Sequence, residues 1–174
     1  MVIRKAGSAD IEGVGQIYDE VHEAAEKGRV VTGWIKNVYP TRATAEAALQ
    51  RGDLFVLEDE GGISGTGIIN QIQVDSYEGA PWKHDVPPEH VCVLHTLVIS
   101  PRRSGRGYGR RFIDFYETYA REHGCPELRI DTNARNLAAR SLYKKLGYEE
   151  IAIVPTVFNN IPGVDLVLLE KYLS

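Results

Sequence analysis

Cysteine is scarce in this chain: Cys92 and Cys125 are the only two among 174 residues. Neither stands in a metal-type spacing, which argues against both a disulfide framework and a thiolate metal centre, and no metal is expected. Long apolar runs are missing too. No stretch reaches the ~18 residues that a membrane-spanning helix needs, and the opening Met-Val-Ile-Arg-Lys-Ala-Gly-Ser holds no apolar segment of signal-peptide length. A cytoplasmic location is therefore expected, with no membrane partner. Nor is there an excess of positive charge. The 20 Lys and Arg against 24 Asp and Glu leave a net charge of −4, whereas a general nucleic-acid binder is usually basic, so no nucleic-acid partner is expected. Repeats, low-complexity tracts and linkers are absent as well. Residues 1–174 are expected to form a single domain, large enough to bury a core without covalent staples.

What is present alternates between strand and helix patterns. Residues 2–5 read as a short strand. From Ser8 to about Lys27 the residues Ile11, Val14, Ile17, Tyr18 and Val21 fall near helical spacing, with Ser8 as the cap. A second helix is predicted from Thr41 to Gln50. Strands are predicted over Asp53–Glu58 and Ile63–Gln73, joined by a tight turn at Asp59-Glu60-Gly61-Gly62. A long loop, 74–90, precedes Val91-Cys92-Val93-Leu94-His95-Thr96-Leu97-Val98-Ile99. That segment is apolar on both alternating faces, as an interior strand requires, and His95 is its one strongly polar member. Phe112, Phe115, Tyr116 and Tyr119 mark the face of a helix that Gly124 ends. Leu128, Ile130 and Thr132 alternate as a strand, a helix follows over about Asn133–Leu146, and the strands Tyr148–Val154 and Val164–Leu169 close the chain. The order implies an α/β fold, a mixed sheet flanked by helices.

Two segments carry chemistry. The first is Ser100-Pro-Arg-Arg-Ser-Gly-Arg-Gly-Tyr-Gly-Arg-Arg-Phe112, in which Gly105, Gly107 and Gly109 stand among five arginines. Glycine lets the backbone come close to a ligand, and the first N–H groups of a helix have no internal partner and carry the positive end of its dipole. A strand, a glycine loop and a helix N-terminus in that order form a phosphate cradle. Arg102, Arg106 and Arg110 are the candidates for phosphate contacts, while Arg103 and Arg111 read as a solvated face. The second segment runs from Asn136 through Tyr143 to Gly147-Tyr148. On a helix, Ala138, Leu142 and Leu146 form a stripe suited to facing the sheet. Asn136 and Tyr143 lie in register on a neighbouring stripe, which would aim the Tyr143 hydroxyl along the sheet edge.

Together these segments, about thirty residues apart, resemble the GNAT superfamily of acyl-CoA-dependent N-acyltransferases. The resembling residues are Leu97-Val98-Ile99-Ser100-Pro101, the loop Ser104-Gly105-Arg106-Gly107-Tyr108-Gly109, the Asn136–Tyr148 segment and the closing Glu170-Lys171-Tyr172-Leu173. The resemblance implies a central, mostly antiparallel sheet with one parallel pair at the coenzyme A site, and acetyl-CoA as cosubstrate. It implies that Leu97, Val98 and Ile99 lie along the pantetheine arm, with the backbone of Leu97 and Ile99 pairing to it as an added strand would. The N–H groups from Ser104 to Arg110 would cradle the pyrophosphate, Asn136 and Ala139 would meet the pantetheine region, and Tyr143 would sit by the thioester sulfur. The family's loop usually opens with Arg or Gln where this chain has Ser104. Starting at Arg102 restores the arginine but takes Gly109 from the helix start, so the Ser104 register is adopted.

Amine acetylation needs a neutral amine, a stabilised carbonyl oxygen and a stabilised thiolate. Tyr143 is the candidate proton donor, and His95, with an ordinary pKa of ~6.5, the candidate base, with Glu89 next in line. Cys92 in an apolar strand should stay protonated and inert. For the acceptor, Trp34, Tyr39, Tyr77 and Trp82 are the aromatic candidates. A small-molecule amine is expected, a peptide or protein N-terminus or lysine being the alternative, and a non-catalytic coenzyme A-binding module the other. A homodimer is compatible with the sequence.

Overall fold

In a computed structural model describing residues 1–174, seven strands form one mixed sheet in the order β1-β2-β3-β4-β5-β7-β6. The strands are β1 (Val2–Lys5), β2 (Leu54–Asp59), β3 (Gly62–Asn70), β4 (Val91–Ile99), β5 (Glu127–Asn133), β6 (Glu149–Phe158) and β7 (Ile161–Tyr172). The helices are α1 (Ile11–Glu26), α2 (Arg42–Arg51), α3 (Tyr108–Glu122) and α4 (Leu137–Lys145). Every neighbouring pair is antiparallel except β4–β5, which is parallel.

The alternation of β4 explains the layers. Cys92 and Leu94 point to the face covered by α3, where Phe112, Ile113 and Tyr116 are fully buried. Val91 and Val93 point to the other face and pack with Tyr77 of the 74–90 loop and with Val164, Leu166 and Leu168 of β7. On that same face, α1 and α2 cover β2 and β3 through Val14, Ile17, Tyr18, Ala45 and Ala48. The long loop thus takes the place of a helix over half of one face.

Helix starts differ from the sequence reading where capping decides them. A 3-10 turn at Ser8–Asp10 precedes α1, and the Asp10 carboxylate accepts the Gly7 N–H at 2.7 Å, so Ser8 is not the cap. Asn133 ends β5 and residues 134–136 form a turn instead of helix, because Asn136 Oδ1 accepts the Ala139 N–H at 3.1 Å and starts α4 itself. The stripe of α4 is also re-aimed. Ala138 and Leu142 face an open groove, and Tyr143 turns into the core beside Tyr148. Gly109 stands where α3 meets α4, since a Cβ there would lie 3.2 Å from Leu142 Cδ2.

Candidate active site

The site exists because β4 and β5 separate. They pair only from Val91 to Leu94 against Glu127 to Ile130. Beyond that point β4 bulges, with Thr96 and Leu97 opposite the single Gly67 of β3. Thr96 sits at φ +49°, a conformation costly for a β-branched residue, and its hydroxyl is held by the Tyr39 hydroxyl. Meanwhile β5 stays paired to β7 through Asn133. A gap opens between the parallel strands. The Ser100 N–H donates to the Ser64 carbonyl at 2.9 Å, so by alternation the main-chain groups of Leu97 and Ile99 face away from β3, into the gap.

A groove of about 800 Å³ runs from this gap over the glycine loop. Gly105 and Gly107 adopt φ of +80° and +74°, and Gly107 caps α3. The first helical bond of α3 is from Arg111 N–H to the Gly107 carbonyl. From Gly105 to Arg110 no main-chain N–H donates a hydrogen bond, whereas the Ser104 N–H is already tied to the Pro101 carbonyl at 3.3 Å. The helix begins directly after Gly107, so Gly109 falls in its first turn.

Arg29, Arg103, Arg110 and Arg135 line the groove, and no Asp or Glu does. The arginine assignments from sequence are partly exchanged. Arg102 and Arg106 do not line it, and Arg102 Nε lies 3.3 Å from Glu20 instead. Arg103, read as a solvated residue, does line it while staying 3.6 Å from Asp59. Arg29 and Arg135 belong to no motif, and only the fold brings them to the groove.

Through the gap the groove adjoins a small cavity of about 60 Å³, with which it shares Thr32, Trp34, Leu97, Asn136, Ala139 and Tyr143. That cavity in turn shares Thr96, Asp131 and Phe158 with a third, of about 400 Å³, on the opposite side of the gap. Tyr143 therefore stands at the inner end of the groove and Asp131 at the inner end of the third cavity. Burial, and secondarily the Asp131 charge, hold the Tyr143 phenol above its ordinary range. Lost hydration pushes the Asp131 carboxyl up to about 6 although Tyr77 donates its hydroxyl to Oδ2 at 2.7 Å.

His95 lines only the third cavity. Asn70 Nδ2 donates to Asp53 Oδ2 and Asn70 Oδ1 accepts the Ile72 N–H. With Oδ1 so assigned, its 2.9 Å contact with His95 makes His95 Nε2 the proton-bearing donor. Lost hydration lowers the imidazole to about 4, a poor match for a base working near neutrality. Glu89 is exposed and lines none of the three cavities.

The aromatic candidates separate. Trp34 lines the groove and the small cavity, and Tyr39 the third cavity, edge-on to Phe158. Tyr77 stands behind Asp131 as its hydrogen-bond donor. Trp82 lines none of the three. It lies over the Arg129 guanidinium at 4.0 Å and donates Nε1–H to the Tyr77 carbonyl, fixing the loop. Both thiols are free and buried, and burial raises Cys92 to about 12, which leaves it inert as expected. No helix is long and apolar enough to cross a membrane.

Asp131 went unnoticed in the sequence because it occupies an ordinary strand position. Its signal was an acid three residues before the turn into the Asn136 helix, where a strand end meets the gap.

Comparison with known proteins agrees with this geometry. The family model described as "Acetyltransferase (GNAT) family" matches residues 16–148. The uncharacterized N-acetyltransferase YhfO of Bacillus subtilis (strain 168) is 25% identical over 152 residues, 86% of this chain and 91% of that protein. In structure, a GNAT-family acetyltransferase from Streptococcus agalactiae 2603 superposes with a TM-score of 0.81 at 23% identity, covering 99% of this chain and 95% of that one. The protein yncA from Salmonella typhimurium, solved with its cofactor acetyl-CoA, does so with a TM-score of 0.68 at 21% identity, covering 99% and 94%.

Proposed function

The chain belongs to the acetyltransferase (GNAT) family, and from that premise we propose that it moves an acetyl group from acetyl-CoA to the primary amine of a small molecule, by direct attack in a ternary complex. The observation that carries this reading is the continuity of an acid-free, arginine-lined groove with a separate cavity through the β4–β5 gap. When bound, acetyl-CoA supplies the thioester. The residues of the groove fit it. Six consecutive free N–H groups and four arginines suit a diphosphate and a further phosphate. The gap-facing backbone of Leu97 and Ile99 suits an extended arm, and Asn136, whose Oδ1 is engaged, keeps its amide N–H groups for a carbonyl.

Asp131 takes the ammonium proton of the acceptor, directly or through water, because it faces the junction and titrates near the working range. This role replaces the one expected of His95, which instead shapes the acceptor cavity. Tyr143 serves the thiolate as a hydrogen-bond donor. Its phenol is too weak an acid to give the proton fully to a thiol of pKa ~8.5, but it stays protonated at every working pH. Holding both substrates in one slot supplies most of the acceleration.

Tyr143→Phe is expected to lower kcat about 10- to 100-fold, the worth of one hydrogen bond to a charged group, with acetyl-CoA affinity changed less than threefold by calorimetry. An unchanged kcat removes Tyr143 from the chemistry.

A cavity of about 400 Å³ suits a small molecule. Thiol release measured across a panel of small amines and peptides should favour the amines by at least tenfold. Preference for peptides would replace the small-molecule reading with the peptide one. Binding of acetyl-CoA with no amine-dependent release would end the transfer reading altogether.

A further inference from the structure

Five buried side-chain polar atoms lack a hydrogen-bond partner, and three of them converge on one point: His84 Nδ1, Glu127 Oε2 and Glu170 Oε2. Glu127 and Glu170 are 0% and 2% exposed. Such atoms are rare in folded chains, since an unpaired buried acceptor forfeits its hydration for nothing. Each carboxylate has its other oxygen engaged. Glu127 Oε1 accepts from Arg129 Nε at 3.2 Å, and Glu170 Oε1 accepts the Lys83 main-chain N–H at 2.8 Å. The two Oε2 atoms and the imidazole nitrogen are therefore turned inward together, all within 4.8 Å of one another.

The spacings are those of ligands around an ion. His84 Nδ1 lies 3.6 Å from Glu127 Oε2 and 4.0 Å from Glu170 Oε2, too far for direct hydrogen bonds. Tetrahedral ligands bound at ~2.0–2.1 Å stand ~3.4 Å apart. The charges call for a cation as well. Arg129 is the one positive side chain that hydrogen-bonds the pair, and the Lys83 ammonium is bonded to Glu149 instead. Two carboxylates facing each other with one guanidinium against them leave a negative charge that a bound cation would balance. The His84 ring is held by stacking on Tyr172 at 4.3 Å.

We propose that His84, Glu127 and Glu170 form a divalent transition-metal site, best suited to Zn²⁺, that clamps the 74–90 loop to the start of β5 and the end of β7. An imidazole with two carboxylates suits zinc better than magnesium or calcium, which take all-oxygen sets. Three protein ligands leave a fourth position for water. The site is structural. It lies at the start of β5, ahead of Asp131 on the same strand, and the loop it would fasten carries Tyr77, the donor that holds Asp131.

The test uses the full chain, stripped with chelator, dialysed and titrated with Zn²⁺ alone by calorimetry, with bound metal counted by elemental analysis. One equivalent is expected, together with a rise in Tm and, with Co²⁺ as the probe, visible d–d absorption. His84→Ala is expected to weaken uptake at least 100-fold and to remove the Tm response. His84 is partly exposed in a loop, so this variant should fold, and circular dichroism verifies that it does. Glu170→Gln provides a second reading. No uptake by the parent chain, as a proton shared between Glu127 and Glu170 would give, overturns the proposal, and so does uptake that survives His84→Ala.

Discussion

Asp131→Asn is expected to lower kcat/KM about 100-fold, the lower end of what a positioned base contributes. The parent enzyme should gain activity with rising pH along a limb centred near 6, where the Asp131 carboxyl loses its proton. The variant should lack that limb. His95→Ala should keep it, because an imidazole lowered to about 4 is already neutral across that range. Stability separates chemistry from folding. The folded carboxyl titrates above its ordinary 3.8, so its contribution is present at low pH and is lost as pH rises through about 6. An uncharged Asn should therefore leave Tm at neutral pH equal or higher while activity falls. A limb that persists in Asp131→Asn, or one that disappears in His95→Ala, would return the base to His95.

Gly107→Val is expected to weaken acetyl-CoA binding by about 30- to 100-fold, measured by calorimetry. The reason lies in the backbone. A Cβ at Gly107 would meet nothing within 4 Å in the free chain, so crowding by the protein's own atoms is not the cause, and close approach could act only against a bound ligand. Its φ of +74° does the damage, since a β-branched residue there costs roughly 1–3 kcal/mol and would turn the free N–H groups away from their common point. Gly107→Asn, which tolerates the left-handed region, should lose less than tenfold. If Asn and Val impair binding equally, ligand proximity and not backbone conformation is what Gly107 provides. If neither does, the anion is held elsewhere.

Some of the site was legible in the chain because its signals are local. The glycine loop and the start of α3 depend on residues within four positions of one another, and backbone preference fixes them. The apolar faces of α1 and α3 were legible for the same reason, through helical periodicity. The Asn136 cap is as local, yet helical spacing read from about Asn133 passed over it. The other misreadings share a cause. Ala138 and Leu142 looked core-facing by spacing alone, yet Gly109 brings α3 against α4 and leaves them on the groove. Arg102 and Arg103 are neighbours in sequence, and which one reaches the groove depends on Glu20 and Asp59, which stand on α1 and β2.

The sequence by itself determined the order of elements, the glycine loop ahead of α3 and the Tyr143 helix, since each is written in short-range geometry. Tertiary structure alone decided that β4 would part from β5 and that Asp131, not His95, would face the junction. It also decided that His84, Glu127 and Glu170 would meet. Those outcomes depend on strand register and desolvation between residues more than thirty positions apart, and no local pattern in the chain encodes either.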